Sequence, residues 1–163
     1  MTRRIAASSD EELFVLSLSD GSQRQLIERM PRFRGATFSP DRRYLVYHVT
    51  FESQAEKNGI WLLDLEQPQP RPQKLPFFGT YRWQNNQNLL YVPFEPTATQ
   101  HNFYQYNLIS GETRPLFPEG TGLTIANNDW QVSPDGTKIV MLAAAGYNLD
   151  GLWLLNIGSE QLP

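Results

Sequence analysis

The chain has 163 residues, 40% of them hydrophobic and 19% charged, which suits a folded domain and excludes a disordered one. A formal net charge of −3 gives no general affinity for phosphate backbones, and the absence of cysteine removes disulfides, thiolate metal sites and cysteine nucleophiles. The 12 prolines, 11 glycines and 12% aromatic residues suit many short strands joined by tight turns.

Near the N-terminus, Arg3-Arg4-Ile5-Ala6-Ala7 reads as a strand, because a second strand, Leu13-Phe14-Val15-Leu16-Ser17-Leu18, follows closely. The turn Ser19-Asp20-Gly21 leads into a short strand ending in Leu26. A loop from Glu28 to Gly35 carries Arg32 and Arg34. Then comes the first of two near-identical hairpin signals, Phe38-Ser39-Pro40-Asp41-Arg42-Arg43-Tyr44-Leu45-Val46-Tyr47. Proline presets φ at a turn position, and aspartate bonds back to the main chain. A loop from Thr50 to Asn58, holding Phe51, precedes Ile60-Trp61-Leu62-Leu63-Asp64-Leu65, the turn Glu66-Gln67-Pro68 and a strand ending in Leu75.

The same order then repeats. After the loop Pro76–Gly79, with Phe77 and Phe78, comes Trp83-Gln84-Asn85-Asn86-Gln87-Asn88-Leu89-Leu90-Tyr91-Val92. A loop from Phe94 to Asn102, with His101, precedes Phe103-Tyr104-Gln105-Tyr106-Asn107-Leu108, the turn Ser110-Gly111-Glu112 and a strand ending in Leu116. A loop from Pro118 to Asp129, with Asn128 and Asp129, leads to Val132-Ser133-Pro134-Asp135-Gly136-Thr137-Lys138-Ile139-Val140-Met141. A loop from Ala144 to Asp150, with Tyr147, precedes Leu152-Trp153-Leu154-Leu155-Asn156-Ile157, the turn Gly158-Ser159-Glu160 and Leu162.

One unit is therefore strand A, hairpin turn, strand B, loop, strand C, turn, strand D. The aromatic residues of strand C at 14, 61, 104 and 153 lie 47, 43 and 49 residues apart. The apolar residues flanking the hairpin turn keep one offset, Phe38 to Leu45, Trp83 to Leu90 and Val132 to Ile139. Two motifs holding a common spacing predict an all-β fold, with β-propeller blades built as four-stranded antiparallel meanders. A β-sandwich with accidentally similar hairpins is the competing architecture.

Ser-Pro-Asp-Gly before a strand, followed by an aromatic-rich strand ending in Asp or Asn plus an apolar residue, resembles the TolB-like propeller repeat. It is also similar to the propellers that cover prolyl oligopeptidase-type catalytic domains. Gln84-Asn85-Asn86-Gln87 departs from this pattern, with asparagine as the turn residue. The blades are expected at about 1–28 (strands B to D), 34–76, 79–117 and 128–163, within a single propeller segment. That is about three and three-quarter blades against the four to eight of a typical ring, so a partial ring is expected. Open blade edges and an apolar blade face predict self-association.

No catalytic motif emerges: there is no Gly-x-Ser-x-Gly elbow, phosphate-binding loop or His-Glu-x-x-His pair. His48 reads as a structural histidine on strand B, and His101 as an exposed loop residue. Asp41 and Asp135 are explained by turn geometry, and Asp64, Asn107 and Asn156 by local backbone bonds. Asn127-Asn128-Asp129 with Asp150 is the one cluster that could attempt a calcium site, and a structural role is favoured. Trp61, Tyr104, Trp153, Phe38 and Trp83 are expected as core between sheets. Arg3-Arg4, Arg32-Arg34 and Arg42-Arg43 read as solvated strand ends and turns.

In a propeller the B–C and D–A loops share one face, and they are the longer, dissimilar loops here. Loops on a rigid scaffold commonly carry recognition. The expected binding residues are Arg32, Arg34, Phe51, Phe77, Phe78, His101, Asn128, Asp129 and Tyr147. No catalytic residue, cofactor, metal or nucleic-acid partner is expected, and the partner is expected to be a protein or peptide. The chain reads as a noncatalytic binding or scaffold module; the alternative is the propeller portion of a serine hydrolase whose catalytic domain lies elsewhere. No stretch approaches the roughly 18 apolar residues of a membrane span. Residues 1–10 lack the apolar run of about 7–15 residues used by a signal peptide, so no export signal is expected and the compartment stays open.

Overall fold

A computed structural model describes residues 2–4, 11–31, 33–118, 124–145 and 148–158, with backbone alone at 2–4, 28–30, 126–128, 144–145 and 148–150. The chain divides into two compact units, Met1–Phe77 and Phe78–Pro163. Among the described residues, unit 1 holds two antiparallel meanders. The first is β1 (Thr2–Arg4), β2 (Glu11–Leu16) and β3 (Gln23–Met30); the second is β4 (Phe33–Phe38), β5 (Tyr44–Val49), β6 (Gly59–Asp64) and β7 (Gln73–Lys74). Unit 2 holds β8 (Gly79–Trp83), β9 (Asn88–Pro93), β10 (Tyr104–Asn107) and β11 (Thr113–Pro115), then β12 (Ile125–Val132), β13 (Lys138–Ala145) and β14 (Asn148–Asn156). Strands adjacent in sequence are adjacent in every sheet, so each sheet is a propeller-blade meander.

The hairpin turn is built the same way twice. Ser39 and Ser133 accept the backbone N–H of Tyr44 and Lys138 on their hydroxyls, each at 2.9 Å. Each hydroxyl donates to the next carboxylate, Asp41 or Asp135, at 2.5 Å. Those carboxylates accept the N–H of Arg43 and Thr137 at 3.1 and 3.0 Å. The serine–aspartate pair thus satisfies the donors that the reversing chain leaves unmatched.

The Asp135 carboxyl is held at about 2 by the Ser133 hydroxyl and then by the backbone and hydroxyl of Thr137, and Asp20 is held at about 2 by Ser17 and Ser22. Since the folded value lies below the unfolded one, this contribution is whole above about pH 4 and is lost as pH falls through about 2. The stability advantage of wild type over Asp135→Asn should therefore shrink between about pH 4 and 2, as read from urea midpoints. A difference that stays constant across that window would refute the linkage.

The middle hairpin corrects the sequence reading. Trp83 pairs with Leu89 and not with Leu90, because the turn is one residue tighter. The Gln84 N–H donates to the Asn88 carbonyl, and the Asn85 side chain accepts the N–H groups of Gln87 and Asn88. The Gln84 side chain does something serine could not reach. It accepts from Gln105, which in turn accepts from Arg114 at 2.7 Å, and it donates to the Gly136 carbonyl at 3.1 Å. This polar strut ties the β8–β11 sheet to the hairpin of the β12–β14 sheet.

Three predicted loops are shorter than expected. β3 runs to Met30 and β4 starts at Phe33, so Arg34 lies in a strand opposite His48. β12 includes positions 127 to 129, and β13 and β14 extend until Ala145 pairs with Asn148. At β4 and at the β13–β14 hairpin the backbone gains ladder pairs that a loop would leave to water, whereas β12 breaks register between Ile125 and Trp130. The opening strand is Thr2–Arg4, while positions 5–7 of the predicted strand lie outside the described residues, as does the predicted final strand at 159–163.

Each unit has its own core. In unit 1, Leu13, Leu26 and Ile27 of the first sheet meet Leu45, Tyr47, Val49 and Leu63 of the second. In unit 2, Leu90, Val92, Phe103 and Phe117 meet Trp130, Ile139, Met141, Ala143 and Leu155. Trp61 and Trp153 pack as half-buried borders of these cores, as expected. Trp83 and Tyr104 are half-buried too. Phe38, expected inside, is 56% exposed, because β4 is largely open along its length. Asp64 and Asn107 do cap their own turns, accepting the N–H of Glu66 and Ile109.

Candidate functional site

The most complete loop-end arrangement begins with a glycine. Gly79 opens β8 and pairs with Pro93, the last residue of β9. A Cβ at Gly79 would collide with the Val92 carbonyl oxygen, so only glycine permits this approach. The close contact sets Phe78 and Phe94 side by side. The Phe94 N–H donates to the Phe78 carbonyl at 3.0 Å. Their rings meet edge to face, with centroids 6.1 Å apart at 86°. Both rings remain exposed, Phe78 at 43% and Phe94 at 66%. The D–A and B–C loops of this blade therefore present one preorganised aromatic pair. A further bond, Thr124 hydroxyl to Thr99 carbonyl at 3.3 Å, ties the next D–A loop to the same B–C loop.

Phe94 was absent from the sequence-based site residues. Its position as the first residue after an apolar strand marked the loop but not the pairing, which depends on the Gly79 contact.

Unit 1 presents a separate aromatic residue. Phe51 is 91% exposed and has φ of 66°, the left-handed region that costs a bulky residue about 1–2 kcal/mol. The loop around it is closely held. Glu52 and Asn58 exchange two hydrogen bonds of 2.9 Å, and a 3₁₀ turn spans Ala55–Lys57. The Trp61 indole N–H donates to the Lys57 carbonyl at 3.0 Å, and the Lys74 ammonium donates to the Glu56 carbonyl at 2.9 Å. Phe51 is thus an exposed, strained aromatic on a closely held loop.

The remaining predicted residues are more dispersed. Arg34 and Asp129 are exposed on strands β4 and β12, and Phe77 is half-buried. His101 is half-buried, with its Nδ1 atom out of water, and so is not the fully exposed loop histidine expected. The cause is its place beside Asn102, whose amide donates to the Phe117 carbonyl at 3.0 Å and draws the loop end inward. Asn128 belongs to β12 by its backbone, while Arg32 and Tyr147 lie outside the described residues. The side chains of Asn127, Asn128 and Asp150, the calcium alternative, also lie outside them. Among the described residues no group of three His, Cys, Asp or Glu side chains is placed to hold a metal ion, and no helix is long and apolar enough to cross a membrane.

No family model matches the chain. Bovine (Bos taurus) fibromodulin is 37% identical over 81 residues, covering 45% of this chain and 22% of that protein, too short a share to assign a family. Among solved structures, TolB from Acinetobacter baumannii matches with a TM-score of 0.61 at 16% identity, over 97% of this chain and 38% of that one. An oligogalacturonate lyase in complex with manganese matches at 0.68 and 14% identity, over 90% and 39%. The β-propeller domain of the Trilobed protease from Pyrococcus furiosus, described as having an open velcro topology, matches at 0.64 and 15% identity, over 99% and 51%. The chain thus spans about half or less of the length of each of these proteins. Together with the four meanders, these likenesses establish the fold: the chain consists of β-propeller blades of the kind found in TolB and in prolyl endopeptidase-type propeller domains.

Proposed function

We propose that the chain is a noncatalytic binding module that takes a protein or peptide partner on its strand-end loops. The observation that carries this reading is the exposed Phe78–Phe94 pair, fixed by the Gly79 approach. Exposed aromatics with little conformational freedom to lose are favoured anchors for a partner's apolar side chain. The strained, exposed Phe51 supports the same role in unit 1.

Selection of a displayed peptide library against the full chain supplies a probe. Phe94→Ala is expected to weaken a selected peptide by about 10-fold or more, and Phe78→Ala by a similar factor. Circular dichroism should stay unchanged, since neither ring is buried. Selected peptides that bind both variants as tightly as wild type would remove the site.

A second reading has its own support. Similar folds occur in a puromycin-hydrolysing peptidase from Mycobacterium tuberculosis and in prolyl endopeptidases, at 12% and 15% identity. In that case the chain is the propeller part of a hydrolase, and the loops face its catalytic domain. An adjoining reading frame encoding an α/β-hydrolase domain with a serine elbow would favour it.

A further inference from the structure

Within its own sheets the chain sets cations over aromatic rings. The Arg43 guanidinium lies 4.9 Å over the Tyr44 ring, and its charge is met by Asp64 at 2.9 Å and Glu66 at 3.4 Å. The Lys74 ammonium lies 5.9 Å over Trp61, and the Arg82 guanidinium 5.1 Å over Trp130. A ring face carries partial negative charge, so a cation is stabilised there, and a planar guanidinium also stacks on it.

Phe94 and Glu95 offer the same two groups, a ring and a carboxylate. Phe94 is 66% exposed. Its contact with Phe78 is edge to face at 86°, so at least one Phe94 face is left uncovered by that partner. Glu95 is exposed, and its carboxylate bonds to no group among the described residues.

The backbone beneath both side chains is fixed. The Phe94 N–H donates to the Phe78 carbonyl, and the Ala98 N–H donates to the Glu95 carbonyl, each at 3.0 Å. The second bond closes a turn with Pro96 in its second position, where the proline ring presets φ. Consecutive Cα atoms lie about 3.8 Å apart, so the ring and the carboxylate spring from neighbouring points of one ordered segment. Binding there orders two side chains and little backbone.

We infer that Phe94 and Glu95 receive an arginine of the partner, with its guanidinium on the Phe94 ring and its charge met by the Glu95 carboxylate. The inference rests on the loop-face reading above and narrows its partner to a peptide that carries an arginine beside its apolar anchor. The arrangement is the one the chain already builds at Arg43, Tyr44 and Asp64. A net charge of −3 also favours the approach of a cationic segment.

Heptapeptides selected from a random displayed library against the full chain, at about 50 mM salt, are the probes. Arginine should be enriched among them. Replacing that arginine by citrulline, its neutral isostere, should weaken binding about 3- to 10-fold by fluorescence anisotropy. Glu95→Gln should weaken the arginine peptide and leave the citrulline peptide unchanged, because both changes remove one interaction. The turn persists in this variant, since Glu95 enters it through its backbone carbonyl. Phe94→Leu, which keeps an apolar surface without a ring face, should narrow the arginine–citrulline difference. Peptides that lose affinity on Phe94→Ala, yet lack arginine or are indifferent to Glu95→Gln, would overturn the inference and leave the loop-face site standing. Peptides indifferent to both Phe78→Ala and Phe94→Ala, or a library that yields none, would remove the site and the inference together.

Discussion

Trp130→Ala is expected to lower the unfolding free energy by about 3–5 kcal/mol, as the removal of a fully buried aromatic generally does. Trp130 is the largest fully buried side chain among the described residues, with 1% exposure. It joins the two sheets of unit 2 in three ways. Its ring meets Phe103 edge to face at 5.0 Å, its indole N–H donates to the Thr80 hydroxyl at 2.9 Å, and the Arg82 guanidinium lies 5.1 Å over its face. Burial there pushes the Arg82 guanidinium below its usual value, so the ring stands where water would otherwise solvate the charge. Trp130→Phe keeps an aromatic and loses the donor, for a cost of about 1–2 kcal/mol. Thr80→Val removes the acceptor and leaves the buried N–H unmatched, at about 1–3 kcal/mol. Urea unfolding followed by far-ultraviolet circular dichroism ranks the three. An alanine variant no less stable than the phenylalanine variant would show that the ring does not hold the sheets together.

Much of this architecture was readable because turn chemistry and strand chemistry repeat together. Ser39-Pro40-Asp41 and Ser133-Pro134-Asp135 are local devices, and they form the same hydrogen bonds in both places. Trp130 was not readable. It sits where no motif marks it, and its burial follows from a neighbouring sheet that local pattern cannot place. The register of the middle hairpin escaped for the opposite reason. Leu89 and Leu90 are both fully buried, so hydropathy could not choose which of them faces Trp83. The loop boundaries failed at Asn128 and Asp129, which sit inside β12 where its register shifts between Ile125 and Trp130, an irregularity that side-chain polarity does not mark. At the candidate site, Phe78 was visible as an aromatic in a loop, while its partnership with Phe94 depends on the close backbone approach at Gly79, which no spacing encodes.

The two serine–proline–aspartate turns also supply a paired experiment on the residue that follows them. Gly136 has φ of 70° and Arg42 has φ of 63°, so both turns demand the left-handed conformation. Strain alone would make the two positions equivalent, at about 1–2 kcal/mol for a residue with a Cβ. Their surroundings differ. A Cβ at Gly136 would collide with the Gln84 carbonyl oxygen, a backbone atom that cannot swing aside. Gln84 is also the start of the polar strut through Gln105 and Arg114, so displacing it loosens bonds on both sheets. Gly136→Ala should therefore cost about 2–4 kcal/mol, the sum of conformational strain and a forced backbone shift. Arg42 is exposed and already accommodates a side chain. Arg42→Gly should relieve the strain and, after the added flexibility of the unfolded chain, stabilise by at most about 1 kcal/mol. Gln84→Ala separates the two causes: it removes the strut while leaving the carbonyl in place, and Gly136→Ala should stay costly in that background. Equal and small effects at 42 and 136 in urea unfolding would mean that dihedral strain alone governs both turns and that the sheets do not bear on each other through Gln84.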